Sequence, residues 1–268
     1  MKIGVLGNKN KVKDEKTVAE IIGFLEEVGY QTVRFFTPSE IDGVDVLIVL
    51  GGDGAILHSA VIAARKNIKI IGINYGNLGF LTEYEKDERA RIKELLSQLE
   101  KGNCRILKRS LLQCEVAGKI FYALNEIALQ RDYGLSERKP TQILKLETET
   151  DVGKSVVSGD GLLVCTPTGS TAYSLSAGGA ILTPDVPVFM MTPICAFSMR
   201  SRPIVFADDK VLRVKITRGR AILLADGLAV AGLPETVELK ISKAPFTADF
   251  PVRDGSDFFA KIKNKLSE

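Results

Sequence analysis

The segment Leu50-Gly51-Gly52-Asp53-Gly54-Ala55-Ile56-Leu57 constrains this chain more than any other. It is entered from the apolar run Val44-Asp45-Val46-Leu47-Ile48-Val49, and a helical pattern begins directly after it. A buried strand therefore runs through three glycines into a helix N-terminus. Glycines let backbone N–H groups approach an anion, and a helix start adds partial positive charge. Such a cradle holds phosphate without a carboxylate, which would repel it. Asp53 therefore calls for a bridging metal or a proton to remove. A tight strand-to-helix turn with Asp53 as N-cap is the plainer alternative.

Around this turn the first hundred residues alternate strand and helix. Strand patterns at 2–7, 31–36, 44–50 and 68–73 are separated by helical periodicity at 14–28 and 54–65, and a further helix is expected at 87–101. That alternation predicts a parallel sheet covered on both faces. Ligands on such sheets sit beyond the carboxyl ends of the strands, where residues 51–54 lie.

After Gly102 the pattern changes. Strands are expected at 106–116, 119–129, 141–150, 156–164, 188–196, 211–217, 221–225 and 236–242, with one short helix near 171–178 capped by Ser170 or Thr171. The reading is an α/β domain over 1–101 and a β-rich, antiparallel, sandwich-like domain over 102–250. A C-terminal helix (251–268) then packs back on the first domain.

Composition narrows the function classes. The chain has 268 residues, 45% hydrophobic and 26% charged, with a net charge of +3 and scattered basic residues. No nucleic-acid partner is expected from so small a charge. No apolar stretch reaches the ~20 residues of a membrane span, so no membrane partner is expected either. Cys104, Cys114, Cys165 and Cys195 form no CxxC pair and read as reduced, buried thiols of a cytoplasmic protein. His58 is the single histidine, which disfavours zinc centres and Ser-His-Asp triads.

Three more segments carry polar groups dense enough for chemistry. Asn74-Tyr75-Gly76-Asn77-Leu78-Gly79-Phe80-Leu81-Thr82 opens on the same sheet edge as Asp53. It is either a ligand-closing loop, with Phe80 flanking a flat ring, or a plain connection. Asn125-Glu126 sits inside the 119–129 strand pattern, where the pair either meets a ligand or satisfies a loop. Ser158-Gly159-Asp160-Gly161 leads through an apolar strand to Thr166-Pro167-Thr168-Gly169-Ser170-Thr171-Ala172-Tyr173-Ser174-Leu175-Ser176-Ala177-Gly178-Gly179. These small hydroxyls suit the edges of a purine or ribose. Two familiar nucleotide motifs are absent. Gly153-Lys154-Ser155 lacks the glycine of a P-loop, since Thr148 holds that place, and no GxGxxG opens the first strand.

In this order, GGDG, the 74–83 loop, Asn-Glu and TPTGSTAYSLSAGG closely resemble the NAD kinases. Met191-Thr192-Pro193-Ile194-Cys195 and Arg202-Pro203-Ile204-Val205 match a further family segment. The long hydroxyl-rich stretch is the specific element, because phosphofructokinases and lipid kinases also carry GGDG. The resemblance implies phosphoryl transfer from ATP, or polyphosphate, to the 2′-hydroxyl of the adenosine ribose of NAD, giving NADP. It implies Mg²⁺ or another divalent cation, Asp53 as general base, and a homodimer or homotetramer. Gly52, Gly54, Gly79 and Phe80 would shape the pocket. Asn125 and Glu126 would hold the nucleoside, and Asp160, Thr171, Ala172, Tyr173 and Ser176 would line the NAD site. The chain departs from the family at Ala55, commonly Thr, and at Ala196-Phe197, often Pro-His. A lipid kinase leaves the TGSTAYSLSAGG stretch unexplained. A regulator that only holds NAD leaves Asp53 unexplained.

Overall fold

The computed structural model describes residues 1–7, 12–75, 79–134, 142–253, 255 and 257–266. Gly76, Asn77 and Leu78 of the expected ligand loop, and Thr141 at the start of an expected strand, lie outside them. The chain divides into two compact units, Met1–Arg109 with Thr247–Glu268, and Ser110–Phe246.

The first unit is built on β1 (Lys2–Gly7), α1 (Val12–Glu27), β2 (Gln31–Phe35), β3 (Val46–Leu50), α2 (Asp53–Arg65), β4 (Lys69–Asn74), β5 (Tyr84–Glu85) and α3 (Arg89–Glu100). Its five strands form one parallel sheet in the order β2-β1-β3-β4-β5. Every residue of β3 is buried, as expected of a strand covered on both faces. Helix α1 supplies Val18, Ile21 and Leu25 and α3 supplies Ile92, Leu95 and Leu96 to a core shared with β1, β3 and β4. Gly29 and Gly102 follow α1 and α3 with φ of 94° and 72°, the left-handed stop that glycine takes without strain.

The second unit is all but helix-free. Its strands are β6 (Arg105–Val116, in this unit from Ser110), β7 (Lys119–Ala123), β8 (Glu126–Arg131), β9 (Leu144–Thr150), β10 (Gly153–Gly159), β11 (Gly161–Cys165), β12 (Val188–Ile194), β13 (Ile204–Ala207), β14 (Leu212–Arg218), β15 (Ala221–Ala225), β16 (Leu228–Leu233) and β17 (Glu238–Val252, in this unit up to Phe246). They make two sheets, β10-β9-β14-β17-β6-β7 and β13-β12-β11-β8-β15-β16. Leu112, Leu146, Val214 and Leu239 of the first meet Ile127, Leu129, Val164 and Leu223 of the second in one core, a sandwich. The pairings of β9, β14, β11 and β15 are antiparallel, matching the expected β-rich domain.

Two expected strands are each divided between the sheets. The 119–129 run is β7 in the first sheet and β8 in the second, with Leu124-Asn125 between them. The 156–164 run is β10 and β11, separated at Asp160. A chain that changes sheets keeps its apolar composition while reversing which face it buries, so hydropathy does not register the break. The strand at 236–242 is longer than expected, and β13 and β16, at an edge of the second sheet, have mostly exposed or half-buried residues and no clear alternation. The expected helix at 171–178 is a 3-10 turn, Thr168–Thr171, followed by α4 (Tyr173–Ser176), a single turn. Neither Ser170 nor Thr171 caps it; Ala172 precedes it without a side-chain cap.

The C-terminal helix α5 (Phe258–Leu266) belongs to the first unit, as expected. It docks through Phe258 against Phe80, and through Lys261 against Thr82 and Glu83.

Candidate active site

Strand β3 ends at Leu50 and α2 begins at Asp53, with Gly52 as an extended N-cap carrying no side-chain bond. Asp53 is thus the first helical residue and not the cap. Its carboxylate reaches across to the segment after β4. Oδ2 accepts the Phe80 N–H at 2.8 Å and Oδ1 the Leu81 N–H at 2.9 Å. These two N–H groups fix the carboxylate beside the positive end of α2.

Gly79 makes this latch possible. A Cβ at that position would sit 2.1 Å from Asp53 Oδ1 and 2.7 Å from Thr82 Oγ1. The Gly79 N–H donates to that Thr82 hydroxyl at 3.1 Å. Gly79 is therefore required by the approach of Asp53 itself. Gly52 and Gly54 differ, because a Cβ on either meets nothing within 4 Å. No internal packing calls for glycine there.

Three charged groups that the sequence pattern does not single out stand around the latch. Lys265 of α5 places Nζ 3.5 Å from Asp53 Oδ2 and 4.5 Å from the centroid of the Phe80 ring. Arg109 is buried, with its guanidinium 5.3 Å from the Phe250 ring centroid. Burial pulls its pKa down to about 10, against the opposing pull of Asp53 and Glu83. Glu83 is bound by Lys261 at 2.8 Å and lies 3.6 Å from Arg253. Lys265 reads from the sequence as one more lysine of an amphipathic helix. Arg109 gives no distinct signal, since it stands in the polar run Lys108-Arg109-Ser110 of β6.

In the second unit, Asn125 and Glu126 lie where the chain crosses between sheets. The Asp226 carboxylate accepts the N–H groups of Leu124, Asn125 and Glu126 at 2.8, 2.7 and 3.1 Å. Asp226 opens the Asp226-Gly227 turn between β15 and β16, with φ of 49° and 77° at the two residues. On the other side, the Thr166 hydroxyl donates to the Leu124 carbonyl at 2.6 Å, and its N–H to the Asn125 carbonyl at 2.9 Å. The Gly169 N–H donates to Thr166 Oγ1 at 3.2 Å. A Cβ on Gly169 would lie 2.1 Å from the Asn125 carbonyl oxygen. The hydroxyl-rich stretch and the Asn-Glu pair are thus one interlocked structure.

That network satisfies the backbone and leaves a side chain over. Glu126 is 5% exposed, and its Oε2 has no hydrogen-bond partner among the described residues. Burial first, and Asp226 second, push its pKa up to about 7. Of the other expected residues, Asp160 and Tyr173 meet the far end of β8, at Arg131 and Gln130, and Thr171, Ala172 and Ser176 lie in the turns after β11. Asp160 Oδ1 accepts from Arg131 Nη1 at 3.0 Å, and Gln130 Nε2 donates to the Tyr173 hydroxyl at 3.0 Å. The Thr171 hydroxyl turns back to the Thr168 carbonyl at 3.4 Å, Ala172 is half-buried and Ser176 is exposed.

An acid latched at a Gly-Gly-Asp-Gly turn in an α/β unit, in a chain whose other unit is a β-sandwich, fits the two-unit kinases of the GGDG type. Residues 5–104 match the ATP-NAD kinase N-terminal domain and residues 124–251 the ATP-NAD kinase C-terminal domain. The chain is 35% identical to an NAD kinase of Clostridium tetani, with 98% of each chain covered. It is 34% identical to one of Caldicellulosiruptor saccharolyticus, covering the whole of both. An NAD kinase from Archaeoglobus fulgidus, solved in complex with ATP, superposes with a TM-score of 0.79 at 26% identity, covering 100% of this chain and 98% of that one. Yeast NADH kinase, solved with NADH, shares the fold with a TM-score of 0.85 at 24% identity, covering 100% and 87%. The chain belongs to the NAD kinase family, whose reaction makes NADP from NAD.

Proposed function

We propose that this kinase moves the γ-phosphoryl group of ATP, or a terminal group of polyphosphate, onto the 2′-hydroxyl of the adenosine ribose of NAD, with Asp53 as general base. The observation that carries this reading is the fixed carboxylate. Oδ2 faces the Phe80 N–H and Lys265, whereas Oδ1 receives only the Leu81 N–H among the described residues. A carboxylate oxygen has two lone pairs, so Oδ1 keeps one for a proton. As the 2′-oxygen bonds to phosphorus and the bond to the leaving phosphate oxygen breaks, the hydroxyl proton passes to Asp53. The helix start, with Gly52 and Gly54 open to an approaching anion, supports the donor phosphates.

On the acceptor side, Asn125 and Glu126 hold the nucleoside, and Asp160, Thr171, Ala172, Tyr173 and Ser176 line the NAD site. The support for Glu126 is its unpartnered buried oxygen, which a ribose hydroxyl would satisfy. Mg²⁺ fits as a cation carried on the donor phosphates. Among the described residues no three Asp, Glu, His or Cys side chains are grouped to hold one, and Mg²⁺ commonly keeps phosphate and water ligands. The ion would neutralise phosphate charge there.

We read the units as an acid-bearing domain and an NAD-holding domain of a cytoplasmic homodimer or homotetramer. All four cysteines are free thiols; Cys114 and Cys165 are buried as expected, whereas Cys104 is half-buried and Cys195 exposed, and an exposed free thiol suits a reducing compartment. Exposed Phe197 and Met199 near edge strand β13 support self-association. No described helix is long and apolar enough to cross a membrane.

The test is a coupled-dehydrogenase assay of purified protein with NAD, Mg²⁺ and a panel of ATP, other triphosphates and polyphosphate. NADP from none of these donors refutes the kinase reading. D53N is expected to lose turnover while binding NAD normally, and near-normal turnover in that variant removes Asp53 as the base.

A further inference from the structure

A carboxylate inside a phosphate-binding turn has an electrostatic defect, because it repels the anion the turn is built to hold. We propose that Lys265, delivered by the C-terminal helix, offsets the Asp53 charge against the donor phosphates and is thereby a positioning residue of the transfer site. This inference rests on the kinase reading above.

The face of α5 that meets the rest of the first unit is built for the task. Phe258, Lys261 and Lys265 follow one another at helical spacing on one side. Phe258 packs against Phe80, with ring centroids 6.2 Å apart. Lys261 is tied to the Thr82 carbonyl at 3.1 Å and to Glu83 at 2.8 Å, both half-buried contacts. Those anchors leave Lys265, one turn later, beside Asp53 Oδ2 and over the Phe80 ring. Among the described residues its partners are Asp53 and Phe80, one in the turn and the other in the segment that Asp53 latches. An ammonium has three donors, and a contact of 3.5 Å to Oδ2 does not saturate them. Lys265 engages Oδ2 and leaves Oδ1 to the substrate proton.

The charge also cannot be supplied locally. Gly51, Gly52, Gly54 and Ala55 flank Asp53, and none bears charge. A long side chain within the turn would close the cradle. A lysine from a distant helix brings the cation from the side and keeps the glycine backbone open.

A double-mutant cycle on ATP binding tests this. Calorimetry with ATP and Mg²⁺ would measure the dissociation constant for the full-length wild type, K265M, D53N and the D53N/K265M double variant. With Asp53 present, K265M is expected to weaken ATP binding about tenfold, as a lost charge pair at a binding site does. In the D53N background the same change should cost at least about threefold less, because no charge remains to offset. K265R should stay within about threefold of wild type, and NAD affinity should not move in any Lys265 variant. Thermal unfolding checks that each variant is folded, and K265Q repeats the cycle should K265M not fold.

An equal loss in both backgrounds shows that Lys265 acts independently of Asp53, as a direct phosphate contact or a structural residue, and overturns the proposal. No loss in either background overturns it too, as does absence of ATP binding by the wild type. The donor-panel assay separates the two readings. NADP formation by the wild type with an uncoupled cycle sinks only the role of Lys265, and no NADP from any donor sinks the kinase assignment beneath it.

Discussion

Replacing Gly79 by alanine tests whether the position of the Asp53 carboxylate matters to within an ångström. The backbone at Gly79 lies outside the left-handed region, so alanine suits its conformation and only the added methyl acts. That methyl would stand 2.1 Å from Asp53 Oδ1, about 0.9 Å short of the 3.0 Å that Cβ contacts keep, and 2.9 Å from Asp53 Cγ. The carboxylate must move by roughly that distance, or the segment bearing Phe80 and Leu81 must move away from it. Either shift strains the bonds at 2.8 and 2.9 Å. Hydrogen bonds to a charged acceptor contribute about 1.5–3 kcal/mol each, so weakening the pair costs on the order of 3 kcal/mol. Displacing a catalytic group by about 1 Å costs about a hundredfold in rate, the same order when converted. The expected outcome is a kcat about a hundredfold below wild type in the coupled NADP assay, with NAD affinity unchanged. The melting temperature should fall modestly, because the latch also closes the loop. A kcat within threefold of wild type would refute the reasoning, since the reaction would then tolerate a displaced Asp53.

Two further outcomes concern the second unit. D226A leaves the N–H groups of Leu124, Asn125 and Glu126 without their shared acceptor, and chemical denaturation should register a loss on the order of 3 kcal/mol. Its Michaelis constant for NAD should rise more than that for ATP. For Glu126 the folded pKa of about 7 lies above the ordinary 4.5, so the fold prefers the protonated acid. The wild type therefore loses stability as pH climbs from about 4.5 through 7, by up to roughly 3 kcal/mol, with little further change above. E126Q carries no such charge, so it should melt higher than wild type at pH 8 and converge with it toward pH 5. Parallel curves for the two proteins across that range would show that Glu126 does not titrate in the fold.

The local motifs were written in the chain because each has a local cause. Three glycines after an apolar strand read as a turn that keeps backbone exposed, and a parallel sheet follows from four strand patterns alternating with helices, whereas its two-residue edge strand β5 is too short to leave a pattern. The density of Ser, Thr and Gly over 166–179 also marked its own importance. What it did in the fold was less visible: Thr166 and Gly169 clasp the Asn125 backbone, a contact between segments about forty residues apart.

Tertiary structure alone decided the rest. Whether 119–129 is one strand or two depends on which sheet each half joins, and hydropathy is the same either way. Asp226 looked like an ordinary turn residue, yet it closes three N–H groups some hundred residues away. Lys265 stands 212 residues from Asp53, in a helix whose pattern sorts apolar from polar but cannot rank one lysine above another. Sequence by itself determined which residue types share a turn, strand or helix, because spacing along one element is a short-range property. Which distant charge and which distant carboxylate meet those segments is a matter of through-space distance, and only the packed chain sets that.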